Sequence, residues 1–245
     1  CGKDLTESVE LGSKICRTLD KKPPTNLIYE MFLDEKGEKI SKSRGNGISI
    51  EEWLKYSTPE SLSLFMFQKP KTAKKLYFDI IPKSLDEYTS FVGKYYDENS
   101  LIKYNNPVWH IHSGDPPKNI KSNISFTTLL NLVNVANTTD PSIIWNYIHE
   151  YNKDQNKKEN QYMNKLISYA ISYYKDFIES KKEYKKIEKN NKQIFIELKE
   201  SLKKFNSSDE PEVIQTKIYE IGKKYNFENL RDFFKLIYQV LLGQN

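Results

Sequence analysis

Residues 39–46 gather in one short stretch the side chains that a phosphate-binding loop needs. They read Lys-Ile-Ser-Lys-Ser-Arg-Gly-Asn, so two lysines stand three residues apart beside two small hydroxyl groups. Mobile cationic donors on a flexible backbone can follow negative charge that is spread over several phosphate oxygens. The residue types therefore predict a loop that handles phosphate groups, and a solvated basic loop is the alternative interpretation of this stretch alone.

The neighbouring sequence predicts the elements that must hold this loop. Residues 26–33 form an apolar-rich run that predicts a mostly buried strand, and residues 34–37 have the composition of a turn. After the loop, Ser49 and Glu52 have the spacing of a capping box, which opens a helix. We therefore expect the loop to be fixed at both ends.

The loop and its flanks resemble one protein family. The stretch is similar to the Lys-Met-Ser-Lys-Ser signature of class I aminoacyl-tRNA synthetases, with an isoleucine in the methionine position. The flanks at residues 29–33, 45–54, 59–62 and 65–71, and the later segment 106–112, resemble the class I lysyl-tRNA synthetases in particular. The resemblance identifies the chain as similar to the C-terminal portion of the bacterial type of that family.

The resemblance implies a role for each residue of the signature. In the family, the carboxylate of lysine attacks the α-phosphate of ATP, and negative charge builds on the departing pyrophosphate. Donors that reach this charge only in the transition state raise the rate, and Lys39 and Lys42 match the two lysines with that catalytic role. The expected ATP-binding residues are Lys39, Ile40, Ser41, Lys42 and Ser43. ATP is expected to act with Mg²⁺.

The resemblance also places the other substrates. Tyr29 falls on the family's tyrosine that contacts the substrate lysine, and a strand tyrosine packed in the core is the alternative. Residues 69–75 contain four lysines and no acid. Lys-dense surfaces bind nucleic acid by releasing counterions, so the expected contacts with the tRNA backbone are Lys69, Lys71, Lys74 and Lys75.

The predicted fold class is a multidomain α/β plus all-α protein. By resemblance, residues 1–55 are the end of a Rossmann-type catalytic domain, and residues 56–114 are a small mixed region that contacts the tRNA stem. Residues 115–245 are an all-α helix cage that binds the anticodon. Apolar periodicity predicts helices at 7–19, 59–67 and 84–96, a strand at 76–81, and at least five helices after residue 115.

Composition restricts the class of protein further. The 245 residues carry a net charge of +5, and no run has the apolar length of a membrane span. Residues 181–204 hold nine lysines against four glutamates, which predicts either a second tRNA-binding segment or a solvated helix face. Two cysteines without a pairing or metal-ligand pattern indicate a reducing cytoplasm.

Two motifs limit what the chain is expected to do alone. His110 and His112 would share one face of a strand, but no third metal ligand is evident, so the prediction is a structural role and no metal site. The second class I signature, His-Ile-Gly-His, does not occur in the sequence. The chain is therefore expected to be inactive by itself. Residues 1–5 resemble a segment that lies inside the catalytic domain of the family, so the chain is expected to begin in mid-protein.

The predicted partners are tRNA(Lys), L-lysine and ATP, without membrane or DNA. Two alternatives stay open. One is a class I synthetase for another amino acid, particularly glutamate, which shares the loop and a helical anticodon domain. The other is a non-catalytic paralogue that keeps this part of a synthetase only to bind tRNA.

Overall fold

A computed structural model describes residues 1–41, 43–97, 99, 102–118, 120, 124–151, 160–206, 209–225, 227 and 229–243. The chain forms two compact units, Cys1–Tyr174 and Lys175–Asn245. Both units are mostly helical, and the described residues contain one sheet of two strands. No helix in this described part is long and apolar enough to cross a membrane. The division into three domains stays a prediction.

The first unit contains the two strands and eight of the helices in the described residues. These are α1 (Thr6–Thr18), β1 (Phe32–Leu33), α2 (Ile50–Tyr56), α3 (Pro59–Phe67), β2 (Lys74–Lys75), α4 (Ile80–Asp97), α5 (Pro107–Ile111), α6 (Phe126–Ala136), α7 (Pro141–Tyr151) and α8 (Gln161–Tyr173). The strands β1 and β2 are parallel, with Phe32 opposite Lys74 and Leu33 opposite Lys75.

Helix starts follow the local signals of the sequence. At α2, the Ser49 hydroxyl accepts the Glu52 backbone N–H at 3.1 Å, and the Glu52 carboxylate accepts the Ser49 N–H at 2.7 Å. The predicted capping box is thereby confirmed. At α3, Thr58 is the N-cap and Pro59 takes the first helical position, where its missing N–H has no cost. The predicted helices at 7–19, 59–67 and 84–96 are present as α1, α3 and α4.

Two strand predictions are wrong. Of residues 26–33 only the last two form a strand, and none of the eight is buried, because β2 is the one strand that pairs with the run in the described chain. Residues 76–81 form no strand; α4 begins at Ile80 instead. A six-residue apolar run fits a buried strand or a helix start equally well, and Pro82 is compatible with a first helical turn. His110 likewise lies in the short helix α5 and not in a strand.

A buried polar contact joins α2 to α3 directly after the loop. The Trp53 side chain is 1% exposed, and its Nε1–H donates to the Ser61 hydroxyl at 3.1 Å. The Ser61 hydroxyl in turn donates to the Thr58 carbonyl at 2.6 Å and lies 2.7 Å from the Ser57 hydroxyl. The Phe65 ring packs 5.5 Å from the Trp53 ring. This contact fixes the element into which the loop leads.

The second unit contains α9 (Lys192–Leu202), α10 (Pro211–Lys224) and α11 (Leu230–Leu241). The core of this unit consists of Ile194, Leu198, Ile221 and Phe233. The predicted helical character after residue 115 is confirmed in the described residues, where six helices and no strand occur. The lysine-rich segment 181–204 is only partly helical, because residues 182–188 have no regular structure and α9 begins at Lys192.

Gly222 allows α10 and α11 to approach closely. A Cβ atom at this position would lie 2.7 Å from Phe233 Cδ1 and 2.9 Å from Leu230 Cδ2. Because the Phe233 side chain is fully buried and cannot move aside, we expect Gly222→Ala to lower the free energy of unfolding by about 1–3 kcal/mol. Urea denaturation of the variant measures this loss.

Gly93 in α4 provides the matched control. A Cβ atom there would meet nothing within 4 Å, so Gly93→Ala should raise stability by about 0.5–1 kcal/mol through its helix propensity. Equal effects of the two substitutions would contradict the close approach at Gly222.

Candidate functional site

A tight turn brings the chain from β1 into the loop. The Asp34 carbonyl accepts the Gly37 N–H at 3.0 Å, and the Asp34 N–H donates to the Glu38 carbonyl at 2.8 Å. Gly37 has a φ of +88°, a conformation that residues with a side chain rarely adopt. The returning chain pairs with the end of β1, because Lys39 forms an antiparallel bridge with Leu33. The predicted turn at residues 34–37 is thereby confirmed.

The Lys39 ammonium lies at the beginning of the loop, where it pairs with Asp4. Its Nζ lies 2.8 Å from Asp4 Oδ2, and the two side chains are 56% and 63% exposed. Solvent screens such a pair strongly, so it contributes little to stability and exchanges readily for another anion. The Lys39 ammonium can therefore exchange Asp4 for another anion at low cost. Lys42 lies outside the described residues, and its role stays a prediction.

The loop folds back on itself between Ser41 and Gly45. The Ser41 carbonyl accepts the N–H groups of Arg44 and Gly45, each at 3.2 Å. The Ser41 and Ser43 hydroxyls lie 3.4 Å apart, and both side chains are at the surface or close to it. Gly45 has a φ of +62°, which lets the chain leave the loop sharply.

Ile40 of the loop packs against the backbone of Gly47. A Cβ atom on Gly47 would lie 2.5 Å from Ile40 Cγ2. The Ile40 N–H also donates to the Phe32 carbonyl of β1 at 3.2 Å. The side chain and the backbone of Ile40 thus both hold the loop against the rest of the first unit.

Asn46 and Asp34 hold the base of the loop, and sequence reasoning did not select either of them. Asn46 Oδ1 accepts the Ser41 N–H at 3.1 Å, and Asn46 Nδ2 donates to Asp34 Oδ2 at 2.8 Å. The Asn46 amide, followed by the Glu38 N–H, lowers the pKa of the Asp34 carboxyl, because both donors stabilise its charged form. The available signal was an Asp at the start of a turn and an Asn after Gly, both common turn residues.

Tyr29 lines a groove of about 570 Å³ beside β1 and is not packed in the core. Its side chain is 44% exposed, and its backbone is fixed by the Lys3 N–H, which donates to the Tyr29 carbonyl at 2.9 Å. The groove is mostly apolar, and its charged lining residues are Glu30, Lys69 and Lys74. The Glu30 carboxylate lies 3.0 Å from Lys3 Nζ. The position of Tyr29 leaves its ring accessible to a small molecule.

The four lysines of residues 69–75 do not share one environment. The side chains of Lys69, Lys71 and Lys75 are exposed, and Lys75 Nζ donates to the Glu35 carbonyl at 2.9 Å. Lys74 differs, because its ammonium donates to carbonyls at the C-terminal end of α3, and burial lowers its pKa. These acceptors are the backbone oxygens of Phe65, Met66 and Gln68. A cation is favourable at that end of a helix, so Lys74 stabilises α3.

The two histidines of α5 and its C-terminus are hydrogen-bonded inside the first unit. His112 Nε2 lies 3.0 Å from the Tyr88 hydroxyl, and His110 Nε2 lies 2.9 Å from the Tyr104 carbonyl. Burial lowers the pKa of His112 and raises that of Tyr88. Among the described residues, no three His, Cys, Asp or Glu side chains are grouped to hold a metal ion.

Comparisons with known proteins cover the loop and the whole chain. Residues 1–115 match the family model described as tRNA synthetases class I (K). Over 245 residues, the chain is 47% identical to the lysine–tRNA ligase of Rickettsia africae (strain ESF-5). It is 46% identical to the enzymes of the same name from Rickettsia felis (strain ATCC VR-1525 / URRWXCal2) and Rickettsia bellii (strain RML369-C). All 245 residues align, and they span 47% of the length of each of these relatives.

Proposed function

The chain belongs to the class I lysyl-tRNA synthetases, and from that premise we propose that the full-length protein is a lysine–tRNA ligase. It would activate lysine with ATP and transfer it to the 3′-terminal adenosine of tRNA(Lys). The observation that carries the proposal is the loop itself. Its backbone is anchored to β1, while the Lys39 ammonium is held by an exposed ion pair that phosphate can replace.

The proposed chemistry begins when the lysine carboxylate attacks the α-phosphorus of ATP. The bond to the bridging oxygen breaks, pyrophosphate leaves, and lysyl-adenylate is formed. Lys39 would leave Asp4 and neutralise the charge that grows on the departing pyrophosphate, with Lys42 as its expected partner. Because the carboxylate is ionised at neutral pH, this step needs no general base. In the second step, the 2′-hydroxyl of the terminal adenosine attacks the adenylate, and AMP leaves.

The loop residues around Lys39 would complete the ATP site. Ser41 and Ser43 carry hydroxyls near the surface that can donate to phosphate oxygens, and Ile40 would hold the loop against Gly47. ATP would bring Mg²⁺ as its chelate, with phosphate oxygens as the ligands of the ion.

Lysine itself would bind beside Tyr29. The accessible ring lines the groove together with the Glu30 carboxylate, which can exchange Lys3 for the ammonium of a substrate. The groove is mostly apolar, and Lys69 and Lys74 line it as well. The Lys74 ammonium is directed to the carbonyls at the end of α3, so Glu30 is the lining residue that suits the cationic end of an aliphatic ligand.

The finer domain description is part of the same proposal. Residues 1–55 would complete a Rossmann-type catalytic domain, residues 56–114 would contact the tRNA stem, and residues 115–245 would form a helix cage around the anticodon. The exposed lysines at positions 69, 71 and 75 support the assignment of residues 56–114 to the tRNA stem.

We further propose a cytoplasmic location, which the free thiols of Cys1 and Cys16 support.

Salt dependence of tRNA binding tests the three exposed lysines. Each phosphate contact releases counterions, so K69A/K71A/K75A should lower the slope of log Kd against log salt concentration by about 2–3, or about 0.7–0.9 for each lysine. Filter binding of tRNA(Lys) to the full-length protein at several salt concentrations measures the slope. K14A/K21A/K22A removes the same charge from exposed positions on and after α1. Equal slope changes for the two variants would contradict contacts at residues 69–75.

Charging of tRNA tests the function as a whole. The full-length protein is offered lysine, glutamate and arginine separately, with ATP and the corresponding tRNA present. We expect charging with lysine alone. Charging with glutamate would assign the protein to the related synthetase. Tight tRNA binding without charging of any amino acid would make it a non-catalytic tRNA-binding protein.

A further inference from the structure

The side chain of Asn46 joins three segments at the base of the loop. It accepts the Ser41 N–H at 3.1 Å and donates to the Asp34 carboxylate at 2.8 Å and to the Lys39 carbonyl at 3.3 Å. Asp34 is itself fixed by the preceding turn, because its Oδ1 accepts the Glu38 N–H at 2.8 Å. One amide group at the end of the loop therefore fixes the backbone at its beginning.

We propose that Asn46 and Asp34 are positioning residues for the formation of lysyl-adenylate. The inference rests on the function proposed above and adds two residues whose side chains bind the loop instead of the phosphate. Asn46 makes two hydrogen bonds to the loop backbone, one to the Ser41 N–H and one to the Lys39 carbonyl. Both of these residues belong to the proposed ATP site. A backbone that is fixed before the reaction lowers the entropic cost of bringing the ammonium to the transition state.

The pair can be broken and rebuilt without a change in size. In N46D, two carboxylates face each other; both only accept hydrogen bonds, so the contact becomes repulsive. In D34N/N46D the polarity is reversed, because the amide now at position 34 donates to the carboxylate now at position 46. The second oxygen of that carboxylate still accepts the Ser41 N–H. Apart from the 3.3 Å bond to the Lys39 carbonyl, every hydrogen bond of the pair is restored.

Steady-state kinetics of the full-length protein provide the first test. We expect N46D to lower kcat for lysine-dependent ATP–pyrophosphate exchange by about 10- to 100-fold. The KM for lysine should not change, because the pair does not touch the groove at Tyr29. D34N/N46D should recover most of the lost kcat. The control E38Q removes the exposed ion pair between Glu38, which follows the turn, and Arg44 of the loop, and it should keep the wild-type kcat.

Hydrogen exchange of the Ser41 amide provides a second readout that does not depend on activity. The Asn46 amide oxygen protects this N–H, so exchange should be faster in N46D than in the wild type. The double variant should exchange as slowly as the wild type, since a carboxylate oxygen accepts the same N–H.

The outcomes separate the proposal from the function on which it rests. If the kcat of D34N/N46D is as low as that of N46D, the positioning role is wrong and the function stands. The same holds if N46D keeps the wild-type kcat while Lys39→Ala loses it. If the wild type shows no lysine-dependent exchange of pyrophosphate, the proposed function is wrong and the positioning role falls with it.

Discussion

Lys39→Ala in the full-length protein is expected to lower kcat for lysine-dependent ATP–pyrophosphate exchange by about 10²–10³-fold, the usual cost of removing one donor that stabilises transition-state charge. The KM for lysine should change little, because Lys39 meets Asp4 and not the groove at Tyr29. Protein stability should also change little, since both side chains of the ion pair are exposed to solvent. Pyrophosphate exchange at saturating ATP, with a thermal denaturation curve for each variant, measures all three quantities.

Two control variants separate transition-state stabilisation from a general loss of charge. Lys36→Ala removes an exposed lysine from the turn that precedes the loop and should keep the wild-type kcat. Asp4→Asn removes the anion that holds the Lys39 ammonium and should not lower kcat, because phosphate replaces that anion in the proposed reaction. A kcat for Lys39→Ala equal to that of Lys36→Ala would remove Lys39 from the mechanism.

Trp53→Ala is expected to lower the free energy of unfolding of the first unit by about 3–5 kcal/mol, the range for truncating a large buried aromatic side chain. The ring is 1% exposed and packs against Phe65, so its removal leaves a cavity between α2 and α3. The Ser61 hydroxyl also loses the Nε1–H donor in a site where Ser61 itself is fully buried. Urea denaturation followed by far-ultraviolet circular dichroism measures the loss.

Trp53→Phe divides this loss into its two parts. The phenyl ring fills much of the space but cannot donate, so we expect a cost of about 1–3 kcal/mol from the lost hydrogen bond and the smaller volume. A loss for Trp53→Phe as large as that for Trp53→Ala would mean that the hydrogen bond to Ser61, and not the packing, holds α2 against α3.

The sequence predicted those features that depend on neighbours in the chain. The capping box of Ser49 and Glu52 and the helix start at Thr58 and Pro59 are set by contacts within four residues, and both are present. The run at 76–81 is too short for its apolar pattern to distinguish a strand from the start of a helix. Its true state is set by distant contacts, such as the Asp79 carboxylate, which accepts the Tyr173 hydroxyl of α8 at 2.9 Å.

In the candidate site, too, the sequence did not predict the features that depend on contacts between distant residues. The loop lysines were identified from their types and from the resemblance, but the environment of Lys74 was not. A count of charges treats its ammonium as equal to its neighbours, whereas the folded chain directs it to the end of α3. Asn46 and Asp34 stand 12 positions apart. Their hydrogen bond exists only because the turn at Gly37 folds the chain back, so residue types alone did not reveal it.

The contact between Ile40 and Gly47 makes these two positions dependent on each other. Any residue larger than glycine at 47 needs a smaller or more pliable side chain at 40, because the branched Cγ2 of isoleucine already occupies the space of a Cβ atom. An unbranched methionine at 40, as in the related signature, can turn away through its three rotatable bonds. Natural variation at the two positions should therefore be correlated, with alanine or serine at 47 found beside methionine or leucine at 40 and not beside isoleucine or valine.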